Sequence, residues 1–175
     1  MLVKVGLLGR EWGEHSDSGL FLSQPDLLLN SWRDIYEPPA GERVRFYSTL
    51  HGSAFENELR QVLGVGSQEG RAILASFSAA QWLAPYGRTG TQYIYADEAG
   101  VRRLQAALKL SVPAKGENVV VTVPKDEGLF RTVVEPAPGV VCTDPVQTYL
   151  DLAITGERGR ESAEYLRGEL MKWST

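Results

Sequence analysis

Few side chains in this sequence could carry chemistry unaided. There are two histidines, His15 and His51, and one cysteine, Cys142, scattered through 175 residues. A zinc centre requires about four nitrogen or sulfur ligands in clustered spacing, so this dispersion points to no metal site. Neither histidine is accompanied by a Gly-x-Ser-x-Gly elbow that would give it a nucleophile to serve, and both read as surface residues. Gly64, Gly66 and Gly70 suggest a phosphate loop. The third glycine comes one residue late, however, and the run follows a helical pattern where the loop needs a strand end delivering amides to a helix N-terminus. Gly64 and Gly66 are better explained as helix terminators.

Two acidic arrangements meet similar objections. Gly52-Ser53 could open a nucleotidyl-transfer site, but such sites hold magnesium on closely spaced aspartates, and the sequence contains no Asp-x-Asp. Ser53-x-x-Glu56 reads instead as a capping box opening a helix. Lys125-Asp126-Glu127 falls in a turn, in the wrong order for an aspartate with a Glu-x-Lys pair. The sequence therefore predicts no catalytic residue, no metal and no cofactor.

The basic residues form two local groups. Lys4, Arg10, Arg43 and Arg45 lie in or beside the N-terminal strands and are the candidate DNA contacts. Arg158, Arg160 and Arg167 accompany the last helix, where Glu157, Glu161 and Glu164 stand at helical pairing distance, so a solvated, self-paired face is expected there. The net charge of −4, from 18 basic and 22 acidic residues, gives no global support for nucleic-acid binding. Any phosphate-contacting surface must be a local patch.

Several elements must position these groups. Residues 1–24 predict a helix end and then two short strands around a polar loop. Asp26–Tyr36 predicts a helix with Leu28, Leu29, Trp32, Ile35 and Tyr36 on one face, ended by Glu37-Pro38-Pro39. Arg43–Leu50 alternates as an exposed strand. A helix opened by Ser53 carries Phe55, Leu59, Val62 and Leu63, and two short helices are expected at Gln68–Ala75 and Ser78–Leu83. Thr91–Ala96 reads as a strand, and Asp97 as the N-cap of a helix running to about Leu110. Asn118–Val123 is apolar enough for a strand buried on both faces. Leu129–Val134 fits either a helix or a strand. Pro136-Ala137-Pro138-Gly139 reads as a loop, and Val140–Cys142 as a short buried strand. Thr143-Asp144-Pro145 is a helix start with a capping side chain and a first-turn proline. Gly156–Gly159 is expected to link to a final helix whose Ala163, Leu166, Leu170 and Trp173 face inward.

The composition, 43% hydrophobic and 23% charged, is that of a folded chain. No apolar run approaches the roughly 20 residues a membrane helix needs, and Met1–Leu8 lacks signal-peptide features. The single cysteine, set in an apolar segment, predicts a buried thiol in a reducing compartment, and hence a cytoplasmic location.

The segment Val141-Cys-Thr-Asp-Pro-Val-Gln-Thr-Tyr-Leu-Asp-Leu152, with the Gly-Glu-Arg-Gly-Arg run that follows it, resembles the C-terminal signature of the AbiE-type (type IV) antitoxins, a family of winged-helix regulators. Pro145, Gln147, Tyr149, Leu150, Asp151, Leu152, Arg158 and Gly159 stand in the places of that motif. Ala79-Ala80-x-x-Leu83-Ala84-Pro85-Tyr86 and the strand at Tyr93–Tyr95 are similar to the opening of the same domain. The resemblance is specific over about 68–173 and weak before that.

The resemblance implies an N-terminal winged helix that binds operator DNA, a C-terminal domain for antitoxin action, and a nucleotidyltransferase-like toxin countered without a stable complex. A winged helix places three helices before its hairpin, whereas here the hairpin-like segment begins near Leu7. The expected organisation is thus α+β, with a winged-helix-like remnant at 1–66 and a mixed α/β antitoxin-type domain at 67–175. Weak DNA binding is expected, with operator binding belonging to a longer form of the chain. The rival readings are a protein-interaction module without DNA binding and an enzyme related to nucleases.

Overall fold

Glu37-Pro38-Pro39 is a stretch that no helix can cross, and it marks a division of the molecule. The computed structural model describes residues 8–10, 20–22, 24–66, 70–87, 89–113 and 115–173, with only the backbone described for 8–10 and 20–22. One compact unit comprises Met1–Glu37 with Trp173–Thr175, and the other Pro38–Lys172.

In the first unit, β1 (Leu8–Arg10) and β2 (Leu20–Leu22) form the expected antiparallel hairpin, with Leu8 opposite Leu22 and Arg10 opposite Leu20. Helix α1 (Pro25–Asp34) starts on a proline, whose missing N–H costs nothing in a first turn. Its inward residue is Leu29, while Trp32 and Ile35, expected on the same face, are exposed. Trp173 is tied to α1 by its indole Nε1, which donates to Asp26 Oδ1 at 3.0 Å.

The second unit is a sheet with helices. It runs β3 (Gly41–Phe46), α2 (Gly52–Val62), β4 (Ala72–Leu74), α3 (Ser76–Leu83), β5 (Gln92–Ala96), α4 (Glu98–Ala107), β6 (Val119–Pro124), a 3-10 turn (Glu127–Phe130), β7 (Val133–Ala137), β8 (Val140–Thr143), α5 (Pro145–Ala153) and α6 (Gly156–Leu170). Among the described residues, six strands form one mixed sheet in the order β3-β6-β5-β4-β8-β7. The β5–β6 and β4–β8 pairs are parallel and the other pairs antiparallel. The α+β class therefore stands. Because β3 pairs with β6 along its whole length, 41–66 belongs to the sheet unit, and the division expected between 66 and 67 falls inside that unit.

Side chains alternate across the sheet, which sorts the core. Phe46, Ala72, Leu74, Ile94, Ala96, Val119, Val121, Val140 and Cys142 pack on one side with Leu59 and Val62 of α2, Leu104 of α4 and Leu108 at its C-cap. Ile73, Ala75, Tyr95 and Phe130 cluster separately.

Local expectations failed where tertiary pairing overrode pattern. The stretch read as a helix at Gln68–Ala75 contains β4, whose Ala72, Ile73 and Leu74 are buried between β5 and β8. A three-residue apolar run is compatible with either structure until its neighbours are known. Helix α2 starts on Gly52 after His51, without a side-chain cap, so Ser53 lies inside its first turn and the capping box is not formed. Pro136 and Ala137 lie in β7, not in a loop. Gly159 is a helical residue of α6, not part of a linker. Leu170 and Trp173, expected to be buried, are 43% and 38% exposed, and α6 instead buries Ala163 and Leu166. Two capping expectations are met. The Asp97 carboxylate accepts from Gly100 N–H at 2.7 Å, and that of Asp144 accepts from Val146 and Gln147 N–H at 2.9 and 3.2 Å.

Candidate functional site

Register places two candidate DNA contacts on one sheet face with two tyrosines. Arg43 lies opposite Thr122, which lies beside Tyr95, which lies opposite Ile73. Two residues along, Arg45 lies opposite Val120, beside Tyr93. Equal parity in a pleated sheet means a shared face, the one away from Leu59, Leu104 and the rest of the larger core. Both arginines are exposed, and Arg45 Nε is 3.8 Å from Glu117 Oε1.

Beside these rows is a cavity of about 170 Å3, with Arg43, Thr122, Tyr93, Tyr95 and Ser76 among its lining and Asp151 and Thr155 on the α5 side. The Asp151 carboxylate is almost fully buried and is oriented by Gln147, whose Nε2 donates to Oδ1 at 2.9 Å. Ser76 begins α3 directly after β4 with φ +48°, a left-handed value that costs energy for any residue with a Cβ. Its hydroxyl is buried with no hydrogen-bond partner among the described residues. A serine on a strained strand-to-helix turn superficially suggests a nucleophile elbow. His51 lines a different cavity, so among the described residues no imidazole stands beside Ser76 as a base. Among the described residues, the cavity's lining offers one cation, one carboxylate and several hydroxyls, a set suited to hydrogen-bonding recognition.

The other predicted site residues distribute as follows. Lys4 lies outside the described residues, and Arg10 belongs to β1, of which only the backbone is described. Pro145 opens α5. Tyr149 is fully buried, donates through its hydroxyl to Glu164 Oε1 at 3.2 Å, and has the Arg167 guanidinium 5.9 Å from its ring centroid. Gly159 is packed tightly against the end of α5, since a Cβ there would strike the Thr155 side chain and the Leu152 carbonyl. Arg158 is exposed on α6. Tyr149 and Gly159 thus join α5 to α6, and Asp151 is the motif member that reaches the cavity.

One polar cluster escaped the sequence reading. Arg71 Nε lies 2.9 Å from Asp97 Oδ2, and its NH2 lies 2.7 Å from Glu127 Oε1. The guanidinium also covers the Phe130 ring at 4.8 Å. Burial opposes ionisation of Asp97, but N–H bonds from Gly100 and Arg71, together with the Arg71 side chain, outweigh it and hold the carboxyl below its usual range. The same guanidinium lowers Glu127, and the two carboxylates raise Arg71, Glu127 most strongly. The only signals in the sequence were Asp97 as a cap and Glu127 in a turn. Neither indicates Arg71, 26 residues from Asp97 and 56 from Glu127.

Among the described residues, no group of three His, Cys, Asp or Glu could hold a metal, and no helix is long and apolar enough to cross a membrane. Neither a curated protein nor a solved structure matches this chain. A family model, described as transcriptional regulator, AbiEi antitoxin, type IV TA system, matches residues 21–172. That span takes in β2, α1, the whole sheet and the α5–α6 pair, and it reaches well upstream of the 68–173 segment where the sequence likeness was clear. The chain therefore belongs to the AbiEi antitoxin family of transcriptional regulators of type IV toxin–antitoxin systems.

Proposed function

We propose that this chain is a non-enzymatic cytoplasmic regulator that counters a nucleotidyltransferase-like toxin without forming a stable complex with it. The family match over residues 21–172 carries this reading. We further propose that its contacts to DNA run through Lys4, Arg10, Arg43 and Arg45. The exposure of Arg43 and Arg45 side by side on β3 supports that assignment. With a net charge of −4, sequence-independent attraction to phosphate is small, because each neutralised phosphate needs its own lysine or arginine. Residues 1–175 therefore bind duplex DNA weakly at physiological salt.

The test has two arms. Co-expression with a nucleotidyltransferase-like toxin should restore growth, while size-exclusion chromatography of the two proteins shows no shared peak. Gel shifts on the DNA upstream of the gene should show weak, salt-sensitive retardation. Persistent toxicity on co-expression would reject the antitoxin reading, and tight salt-insensitive binding would reject the assignment of the arginines.

A further inference from the structure

A second cavity, of about 330 Å3, lies in the sheet unit beside α2 and α3. That volume is at the lower end of the roughly 300–1,000 Å3 typical of small-molecule sites. Phe55 of α2 and Trp82 of α3 supply aromatic wall, while His51 and the carboxamides of Gln81, Gln92 and Asn118 supply polar groups.

Contacts within the chain fix several of these groups. The Arg60 guanidinium lies 4.9 Å from the Trp82 ring centroid, and is itself fixed by Glu56 at 2.7 Å and by the Pro138 carbonyl at 2.8 Å. Ser78 Oγ accepts the Tyr93 N–H at 2.8 Å, so its one proton goes to Gln92 Oε1 at 3.0 Å. That bond turns the amide nitrogen of Gln92 into the end left to donate. Asn118 is clamped at both ends, accepting from Ser48 N–H at 2.8 Å and donating to the Ser48 carbonyl at 2.9 Å.

The chemistry narrows the ligand. Among the described lining residues the one carboxylate, Glu56, is held by Arg60, so a free amino acid would have to displace that pair to find counter-charges for its termini. A sugar could lay a C–H face on the indole, but its hydroxyl rim offers no planar edge of alternating donors and acceptors to a carboxamide. A planar heterocycle with donors and acceptors on its edge fits this set, because the exposed Gln81 carboxamide can read such an edge bidentately, the Gln92 amide nitrogen can donate to it, and aromatic side chains take its face.

We propose that this cavity binds a nucleobase, brought either by a free nucleoside or by a single strand of nucleic acid. The proposal does not rest on the regulatory reading. Calorimetric titration of the full chain with adenosine, guanosine, cytidine and uridine, and separately with mixed-sequence single-stranded oligonucleotides, tests it. Binding of at least one nucleoside is expected, weakened about five- to a hundredfold by Trp82→Leu, the range for loss of one stacked base. Gln81→Ala, at an exposed position, should also weaken binding while leaving thermal unfolding unchanged, which guards against a Trp82 variant that misfolds. If only the oligonucleotide binds, with the same dependence on Trp82 and Gln81, the strand is the source and the proposal stands. No binding of either probe overturns it. So does binding that ignores both variants, or that is lost only on removing Arg43 and Arg45.

Discussion

Arg71 and Asp97 are bonded twice: the Arg71 backbone N–H donates to Oδ1 at 3.0 Å and its Nε to Oδ2 at 2.9 Å. The Asp97 carboxylate thus fixes the chain just before β4 while it also caps α4 through Gly100. One side chain joins two elements that are distant in sequence, and Arg71 carries the connection on to Glu127.

Asp97→Ala should therefore cost about 2–5 kcal/mol, combining a lost N-cap of about 0.5–2 kcal/mol with a charge-assisted hydrogen bond of about 1.5–3 kcal/mol. Urea unfolding at neutral pH measures it, and a loss below about 0.5 kcal/mol would mean that the pair carries no net weight.

The same residue gives an acid dependence. Its folded-state pKa lies below the usual carboxylate value, so the native state binds the proton less readily than the unfolded chain does. The stabilisation is present in full above the unfolded value of about 3.9 and is lost as pH falls through the folded one. Wild type should lose stability across that acidic window more steeply than Asp97→Asn. Parallel stability–pH curves for the two proteins would contradict this.

The last helix offers a matched pair of leucines. Leu166 is fully buried whereas Leu170 is 43% exposed. Leu166→Ala should cost about 2–5 kcal/mol and Leu170→Ala less than about 1 kcal/mol. Gly159→Ala should cost about 1–3 kcal/mol through overpacking, because its methyl group meets the Leu152 carbonyl and the Thr155 side chain. Thermal unfolding of the three variants ranks them, and a Leu170 loss matching that of Leu166 would place the chain end in a core.

Arg43→Ala with Arg45→Ala should change stability by no more than about 0.5 kcal/mol, since both side chains are exposed. Residual duplex binding should fall, and the slope of log affinity against log salt should flatten by about 0.9 for each phosphate contact removed. An unchanged slope would put the phosphate contacts elsewhere.

Burial pushes the Cys142 thiol up to about 12. At pH 8 the native protein should resist alkylation, and labelling should follow global unfolding as denaturant is added. Rapid labelling of the native state would contradict the buried position.

Much of the architecture was legible because it rests on local physics. Asp97 and Asp144 were readable as caps, since a carboxylate accepting the first free amides of a helix needs only its own neighbours. The near-continuous apolar run of Asn118–Val123 and the break at Pro38-Pro39 are local in the same sense, and the Pro145–Leu152 motif carried enough pattern for the family to be seen. What the sequence by itself determined was therefore the α+β class, most helix starts, the family and the sparse chemistry of the chain. Only the tertiary structure decided that Ala72–Leu74 is a strand, because its two neighbours come from β5 and β8, about 20 and 70 residues away. It likewise decided that 41–66 joins the sheet, that Arg43 and Asp151 line one cavity, and that Arg71 meets Asp97 and Glu127. The reason is the same in each case. Strand pairing and ion pairing satisfy groups across long loops, and no local run of residues records which distant partner will satisfy them.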